Sequence, residues 1–151
     1  MKLPMESIIG MIAWGTSHGV GDFLTIEFGD PHLEVREPVY KISSSDEIVR
    51  GMLSRRRVWV RGEWHVWVQY ARWSIAVGEK RCDASSARSQ SQEIFDLLNG
   101  QRLHSIEISH LPSEIRFTFD LGARLDVAWT PQIGDDRKVI SLRHIDRGYF
   151  A

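Results

Sequence analysis

Leu24-Thr25-Ile26-Glu27-Phe28-Gly29 alternates apolar and polar residues, and after Asp30-Pro31 the chain continues as His32-Leu33-Glu34-Val35. Alternation of this kind is typical of half-buried β-strands, and Gly-Asp-Pro is a turn sequence. The pattern recurs as Phe117-Thr118-Phe119-Asp120-Leu121-Gly122, followed by Arg124-Leu125-Asp126-Val127. We therefore predict two β-hairpins that repeat each other, at about residues 22–38 and 114–131.

Further strands and one main helix are indicated outside these hairpins. Ser85 to Asn99 carries apolar residues at helical spacing and is followed by Gly100, a residue that commonly ends helices. Ser44-Ser45-Asp46-Glu47 indicates a second, short helix that continues to Leu53, with Ser44 as its cap. Alternation indicates strands at 58–61, 64–70, 73–77, 105–109 and 139–145. The predicted fold class is α+β, mainly antiparallel, with a strongly curved sheet or incomplete barrel, pseudo-repeated hairpins and one main helix at about 85–99.

Length and composition restrict the class of protein. With 151 residues, 42% of them hydrophobic, the chain fits a single domain (residues 1–151) and is not intrinsically disordered. Its one cysteine, Cys82, excludes an intrachain disulfide and favours a reducing compartment. No apolar run approaches the roughly 20 residues of a membrane-spanning helix, and we recognise no signal peptide. We therefore expect a cytoplasmic protein that does not contact a membrane.

Tryptophan is concentrated in one segment, since four of the six tryptophans lie between Trp59 and Trp73. We predict a third hairpin here, with Gly62-Glu63 as its turn. One face of that hairpin would carry Trp59, Arg61, Trp64, Val66, Val68 and Tyr70, and the other Val58, Val60, His65, Trp67 and Gln69. Both faces are substantially apolar, so either both are covered within the chain or one of them meets a partner. A bulge or break at Ala71-Arg72 would return Trp73 to the core side.

An arginine cluster accompanies these tryptophans, and arginine with aromatic side chains is the composition of protein interfaces. We predict a non-enzymatic interaction protein, with a protein partner or a second copy of the chain in a homodimer. The alternatives are a small ligand-binding barrel or enzyme with a cavity lined by tryptophan and His65, and binding of single-stranded nucleic acid. The net charge of −1 disfavours nucleic acid. The predicted partner-binding residues are Arg55, Arg57, Trp59, Arg61, Trp64, His65 and Trp67.

Catalytic, metal and cofactor motifs give no positive prediction. His104 and His110 flank a strand without forming a convincing ligand set, and no Cys-x-x-Cys or His-Glu-x-x-His occurs. The repeated acids Glu27, Glu34, Asp120 and Asp126 should point to solvent on the outer faces of their hairpins. Cys82 follows two cations that could lower its pKa, but we expect an inert loop cysteine. We predict no catalytic residue, no metal and no cofactor.

The chain also resembles a broad group of small bacterial domains of unknown function with duplicated hairpins. The resemblance rests on Leu24–Val35, Trp73-Ser74-Ile75, Leu97-Leu98-Asn99-Gly100 and Phe117–Val127, and it covers roughly residues 20–130. Some of these domains look like immunity proteins encoded beside bacterial toxins. The resemblance thus implies a protein partner and supplies no catalytic residue, while the Arg50–Tyr70 insert lies outside it.

Overall fold

A computed structural model describes residues 4–41, 46–131, 138–146 and 148–150. In chain order, a 3₁₀ turn covers Pro4–Ile8 and two α-helices follow later, α1 (Glu47–Leu53) and α2 (Arg88–Leu98). The strands are β1 (Ala13–His18), β2 (Leu24–Phe28), β3 (His32–Arg36), β4 (Arg57–Arg61), β5 (Trp64–Val68), β6 (Arg72–Val77), β7 (Lys80–Asp83), β8 (Leu103–His110), β9 (Ser113–Phe119), β10 (Ala123–Ala128), β11 (Ile140–His144) and β12 (Gly148–Phe150).

Most strands belong to two antiparallel sheets. Sheet one has the order β1-β2-β5-β11-β12, and sheet two has the order β7-β6-β10-β9-β8. Strands β3 and β4 form a separate two-stranded ribbon. The two helices and the antiparallel sheets confirm the predicted α+β class. Among the described residues no sheet closes into a barrel. The predicted curvature stays a prediction, whereas the pairing of the strands, described below, does not support the predicted duplication of hairpins.

One hydrophobic core joins both sheets and α2. Sheet one contributes alternate residues of β2, β5 and β11, such as Ile26 and Val66, which are 1% exposed. Sheet two contributes Phe117 and Leu125 in the same way. Burying each such side chain stabilises the fold by about 1.5–3 kcal/mol, so the alternation selects which side of each strand faces the core.

Two of the three predicted hairpins, at 22–38 and at 58–70, are wrong. Strand β2 pairs with β5, from Leu24 opposite Val68 to Phe28 opposite Trp64. Strand β3 pairs with β4, with His32 opposite Arg61. Residues 24–36 and 57–68 are therefore two legs of one long interrupted ribbon.

The glycines predicted as hairpin turns explain this difference. Gly62 lies so close to β2 that an added Cβ would be 2.6 Å from the Phe28 carbonyl oxygen. Gly29 has a positive φ of 78°. Residues 29–31 on one leg face residues 62–63 on the other, between the last pair of β2 with β5 and the first pair of β3 with β4. These glycines thus allow the backbones of the two legs to lie close together, and neither glycine forms the turn of a hairpin within its own leg.

The remaining predictions agree with the structure in outline. Strands β9 and β10 form the predicted hairpin, with Phe117 opposite Leu125. Strand β5 ends at Val68 and β6 begins at Arg72, so the two strands belong to different sheets, and Trp73 is buried as predicted. The cap predicted at Ser44 falls outside the described residues, and Asp46 caps α1. Strand β1 was missed, because its Gly-Thr-Ser-His sequence has no apolar alternation.

Candidate functional site

The candidate site begins with the two-stranded ribbon and the segment that connects its strands, residues 32–61, which we name the arm. The apolar face of the arm consists of Leu33, Val35, Val58 and Val60, which are 68%, 48%, 53% and 51% exposed. These residues lie directly opposite one another across the ribbon. An antiparallel ribbon normally turns its apolar side chains toward the core. The arm has the opposite orientation, with its apolar face toward solvent.

The polar face of the arm consists of His32, Glu34, Arg57, Trp59 and Arg61. The guanidinium carbons of Arg57 and Arg61 lie 5.1 and 5.8 Å from the centroid of the Trp59 ring. Cation–π contacts of this geometry hold an indole ring in place at about 0.5–1 kcal/mol each. Trp59 is therefore a half-buried ring between two cations.

The tip of the arm carries α1, which has no buried residue. Ile48 and Met52 on this helix are 75% and 56% exposed. Arg36 Nη2 donates to the Met52 carbonyl oxygen at 2.9 Å and so ties the helix to β3. Arg56 and Glu37 form an exposed ion pair at 2.8 Å. The tip thus presents apolar side chains among arginines.

A buried ionic cluster lies where the arm joins sheet one. Glu27 is 3% exposed, and its Oε1 accepts hydrogen bonds from His65 Nδ1 at 2.7 Å and from Arg61 Nη1 at 3.1 Å. Its Oε2 accepts from the backbone N–H of Gly62 at 2.9 Å. Beside this cluster, on the face of sheet one that points away from the core, Arg143 Nη1 donates to both carboxylate oxygens of Glu34, at 2.8 and 2.9 Å.

Opposing effects set the pKa of Glu27. Burial raises the pKa of this carboxyl, but the hydrogen bond and charge of His65, the Gly62 N–H and the Arg61 charge lower it more, so the pKa lies below its ordinary value of 4.5. Glu27 is therefore a carboxylate at neutral pH. Because a carboxylate only accepts hydrogen bonds, it holds a proton on His65 Nδ1 and fixes the orientation of the ring.

The structure divides the predicted partner-binding residues among four places. Arg57, Trp59 and Arg61 are brought together on the polar face of the arm, with Arg55 exposed near its tip. His65 belongs to the ionic cluster, where Arg61 joins it. The predicted grouping of Arg61 with Trp64 on one face is therefore wrong, since the chain runs on from β4 to β5 without a hairpin turn at Gly62, which leaves Arg61 on the same side as His65.

The other two predicted residues lie away from the arm. Trp64 is 7% exposed in the core, with its ring 4.5 Å from that of His144. Burial to this extent removes Trp64 from any surface for a partner. Trp67 lies toward the opposite end of β5, where its ring meets that of Phe23 at 5.6 Å.

Sequence reasoning missed Glu27, and the expectation that it points to solvent is wrong. Glu27 and His65 face each other directly in the pairing of β2 with β5. The signal was present as an acid and a histidine in two apolar strands, but it becomes visible only with the correct strand partner. Glu34 was also missed as the partner of Arg143.

Cys82 lies on β7, not in a loop, and is 1% exposed. Burial raises the pKa of its thiol, so the thiol is protonated and inert at neutral pH. Within the described residues, no three histidine, cysteine, aspartate or glutamate side chains are grouped to hold a metal ion.

None of the described helices has the length and apolar character to cross a membrane. When the chain was compared with models of protein families, with curated proteins and with solved structures, no match was found.

Proposed function

We propose that the protein is a non-enzymatic interaction module that binds an acidic surface of a protein partner through the arm. The observation that carries this proposal is the solvent-facing apolar face formed by Leu33, Val35, Val58 and Val60. Contiguous exposed apolar surface with a polar rim is typical of protein interfaces.

The distribution of exposed apolar side chains supports the same surface. Of 18 large hydrophobic side chains that are exposed in the described residues, nine lie on the 30 residues of the arm. A fifth of the chain thus carries half of this surface, on both the ribbon and α1. A standard interface takes about 800 Å² from each partner, and an extended ribbon with a helix at its tip is suited to supply it.

Charge indicates the chemistry of the partner. Residues 32–61 contain seven arginines and lysines against four acids, so the arm carries about three positive charges within a chain of net charge −1. Such a surface attracts an acidic partner and repels a second positive arm placed face to face with it. On the other, polar face of the arm, Trp59 between Arg57 and Arg61 also has the composition of an interface hot spot. The resemblance to immunity-like domains agrees with a protein partner.

The test compares an arm variant with a matched surface control. Leu33→Ser with Val60→Ser removes the centre of the apolar face. Leu121→Ser with Val20→Ser removes side chains of the same types that are 72% and 88% exposed outside the arm. Immobilised wild type and both variants are incubated with a lysate of the source cells, and the captured proteins are identified. Each candidate is then purified, and its affinity is measured by calorimetry at two salt concentrations.

The proposal requires an acidic protein whose dissociation constant rises at least about tenfold for the arm variant, stays unchanged for the control and rises with salt. A set of purified candidates that bind the arm variant and wild type equally would overturn it. Wild-type dimerisation that the arm variant loses would assign the surface to a second copy instead. Salt-sensitive binding of mixed single-stranded oligonucleotides, lost on Arg55→Gln with Arg57→Gln, would assign it to nucleic acid.

A further inference from the structure

A small cavity of about 270 Å³, with a mixed polar and apolar lining, lies where the arm meets sheet one. Its charged and imidazole side chains are those of His32, Glu34 and Arg61 from the arm and of His65 and Arg143 from sheet one, and apolar residues of the arm also border it. Cavities near 300 Å³ are the smallest that usually hold ligands, so this one fits a small group. These apolar residues of the arm are Leu33 and Val35, but the contacts proposed below use only the charged and imidazole side chains of the cavity and do not depend on the proposed function.

Two imidazole nitrogens at this cavity have no hydrogen-bond partner in the described part of the chain. His65 is 8% exposed, and its one hydrogen bond joins Nδ1 to Glu27, which leaves Nε2 unpartnered. His32 Nδ1 is buried and also has no partner. Buried polar atoms nearly always have a partner, so the unpartnered Nδ1 of His32 indicates that something else supplies a contact here. The Nε2 of His65, on a ring that lines the same cavity, is open to a further hydrogen bond.

Two guanidinium groups give the cavity the chemistry of an oxyanion site. Arg61 uses Nη1 for Glu27 and stacks on Trp59, and in the described structure its other N–H groups make no hydrogen bond. Arg143 already holds a carboxylate, that of Glu34, through two hydrogen bonds to Nη1. Arginine N–H groups match the oxygens of carboxylates and phosphates. Glu34 thus occupies the position on Arg143 that an external carboxylate or phosphate would take.

We propose that this cavity binds a small oxyanion, a carboxylate or a phosphate group, whose oxygens contact Arg61 and His65 Nε2 and displace Glu34 from Arg143. The Nε2 atom accepts a hydrogen bond from a protonated ligand oxygen when the ring is neutral, and donates one when the ring is an imidazolium. Glu27 does not compete for the ligand, because it is 3% exposed and both of its oxygens are hydrogen-bonded.

The test follows histidine ring resonances by ¹⁵N–¹H NMR while inorganic phosphate, and separately acetate, is added at constant ionic strength. The expected result is a saturable shift of the His65 ring signals, while those of the exposed His104 on β8 stay in place. Saturation with phosphate, with acetate or with both supports the proposal and identifies the oxyanion. Glu34→Gln removes the internal competitor, so we expect the dissociation constant to fall about fivefold to tenfold. Arg143→Gln should raise it by a similar factor or more.

A His65 signal that moves no more than that of His104 with either anion would overturn the proposal. Weaker binding in Glu34→Gln than in wild type would also overturn it, because Glu34 would then be part of the site and not its competitor. Both measurements keep His65 intact, so they do not depend on the stability of a His65 variant. Partner binding by the arm is measured separately, and its failure leaves these outcomes unaffected.

Discussion

Replacement of Glu27 by glutamine should destabilise the fold more than any other single conservative change of a charged side chain that we consider. Glutamine keeps the shape of the side chain but has one oxygen. In the native cluster Oε1 accepts from His65 and Arg61, and Oε2 accepts from the Gly62 N–H. Whichever way the amide is oriented, its NH₂ group must therefore face a hydrogen-bond donor. The loss also leaves the Arg61 charge without its partner.

The magnitude follows from the burial of the group. Hydrogen bonds to a charged partner contribute about 1.5–3 kcal/mol each, and removal of one member of a buried pair costs about 3–5 kcal/mol. Because Arg61 keeps about a quarter of its side chain exposed and can be rehydrated, we expect Glu27→Gln to lower the free energy of unfolding by about 2–4 kcal/mol. With a urea dependence of about 2 kcal/mol per molar, the unfolding midpoint should fall by about 1–2 M.

The stabilisation that Glu27 gives the fold should decrease as the pH falls. The pKa of Glu27 in the folded protein lies below 4.5, so the carboxylate stabilises the fold fully above the unfolded-state pKa and progressively less as the pH falls through the folded-state pKa. The difference between wild type and Glu27→Gln should therefore be full at pH 7 and shrink well below pH 4.5.

Urea unfolding, followed by tryptophan fluorescence at pH 7 and at pH 3–4, measures both quantities. Glu79→Gln, on the exposed turn between β6 and β7, is the matched control and should leave the midpoint within about 0.5 kcal/mol of wild type. If Glu27→Gln behaves like Glu79→Gln at pH 7, the cluster does not stabilise the fold and the reasoning is refuted.

Three further predictions test the placement of single residues. Trp64→Ala should cost about 3–5 kcal/mol, because the ring is 7% exposed, whereas Trp59→Ala should cost about 1 kcal/mol or less; equal midpoints in urea would contradict this assignment. Gly62→Ala should destabilise the fold by about 1–3 kcal/mol, because its Cβ would lie 2.6 Å from the Phe28 carbonyl oxygen, while Gly51→Ala, with open space around it, should not lower the melting temperature. Because it is buried, Cys82 should react with a disulfide reagent only as fast as the protein unfolds. The control for an accessible thiol is the exposed Ser89→Cys in a Cys82→Ser background. If Cys82 in the native protein reacts as fast as this control, its thiol is accessible and the prediction is wrong.

The sequence predicts many of the residues of the candidate site, but not how they are arranged in space. The concentration of arginine and tryptophan between residues 50 and 73 drew attention to the arm, and the two apolar faces of this segment predicted exposed or doubly covered surface. Val58 and Val60 are indeed exposed. The ionic cluster could not be predicted, because Glu27 and His65 are 38 residues apart and meet only when β2 pairs with β5.

By itself, the sequence determined where both helices and most of the strands lie, and which side of most strands is buried. Alternation placed Ile26, Phe117 and Leu125 in the core, because burying apolar side chains on one face of a strand is a local consequence of its period of two. Tertiary structure decided which strands are neighbours. Turn sequences at Gly29 and Gly62 are compatible with a hairpin or with an interrupted ribbon, and the choice depends on long-range pairing. That choice turned two predicted hairpins into the arm and brought Glu27, Arg61 and His65 together.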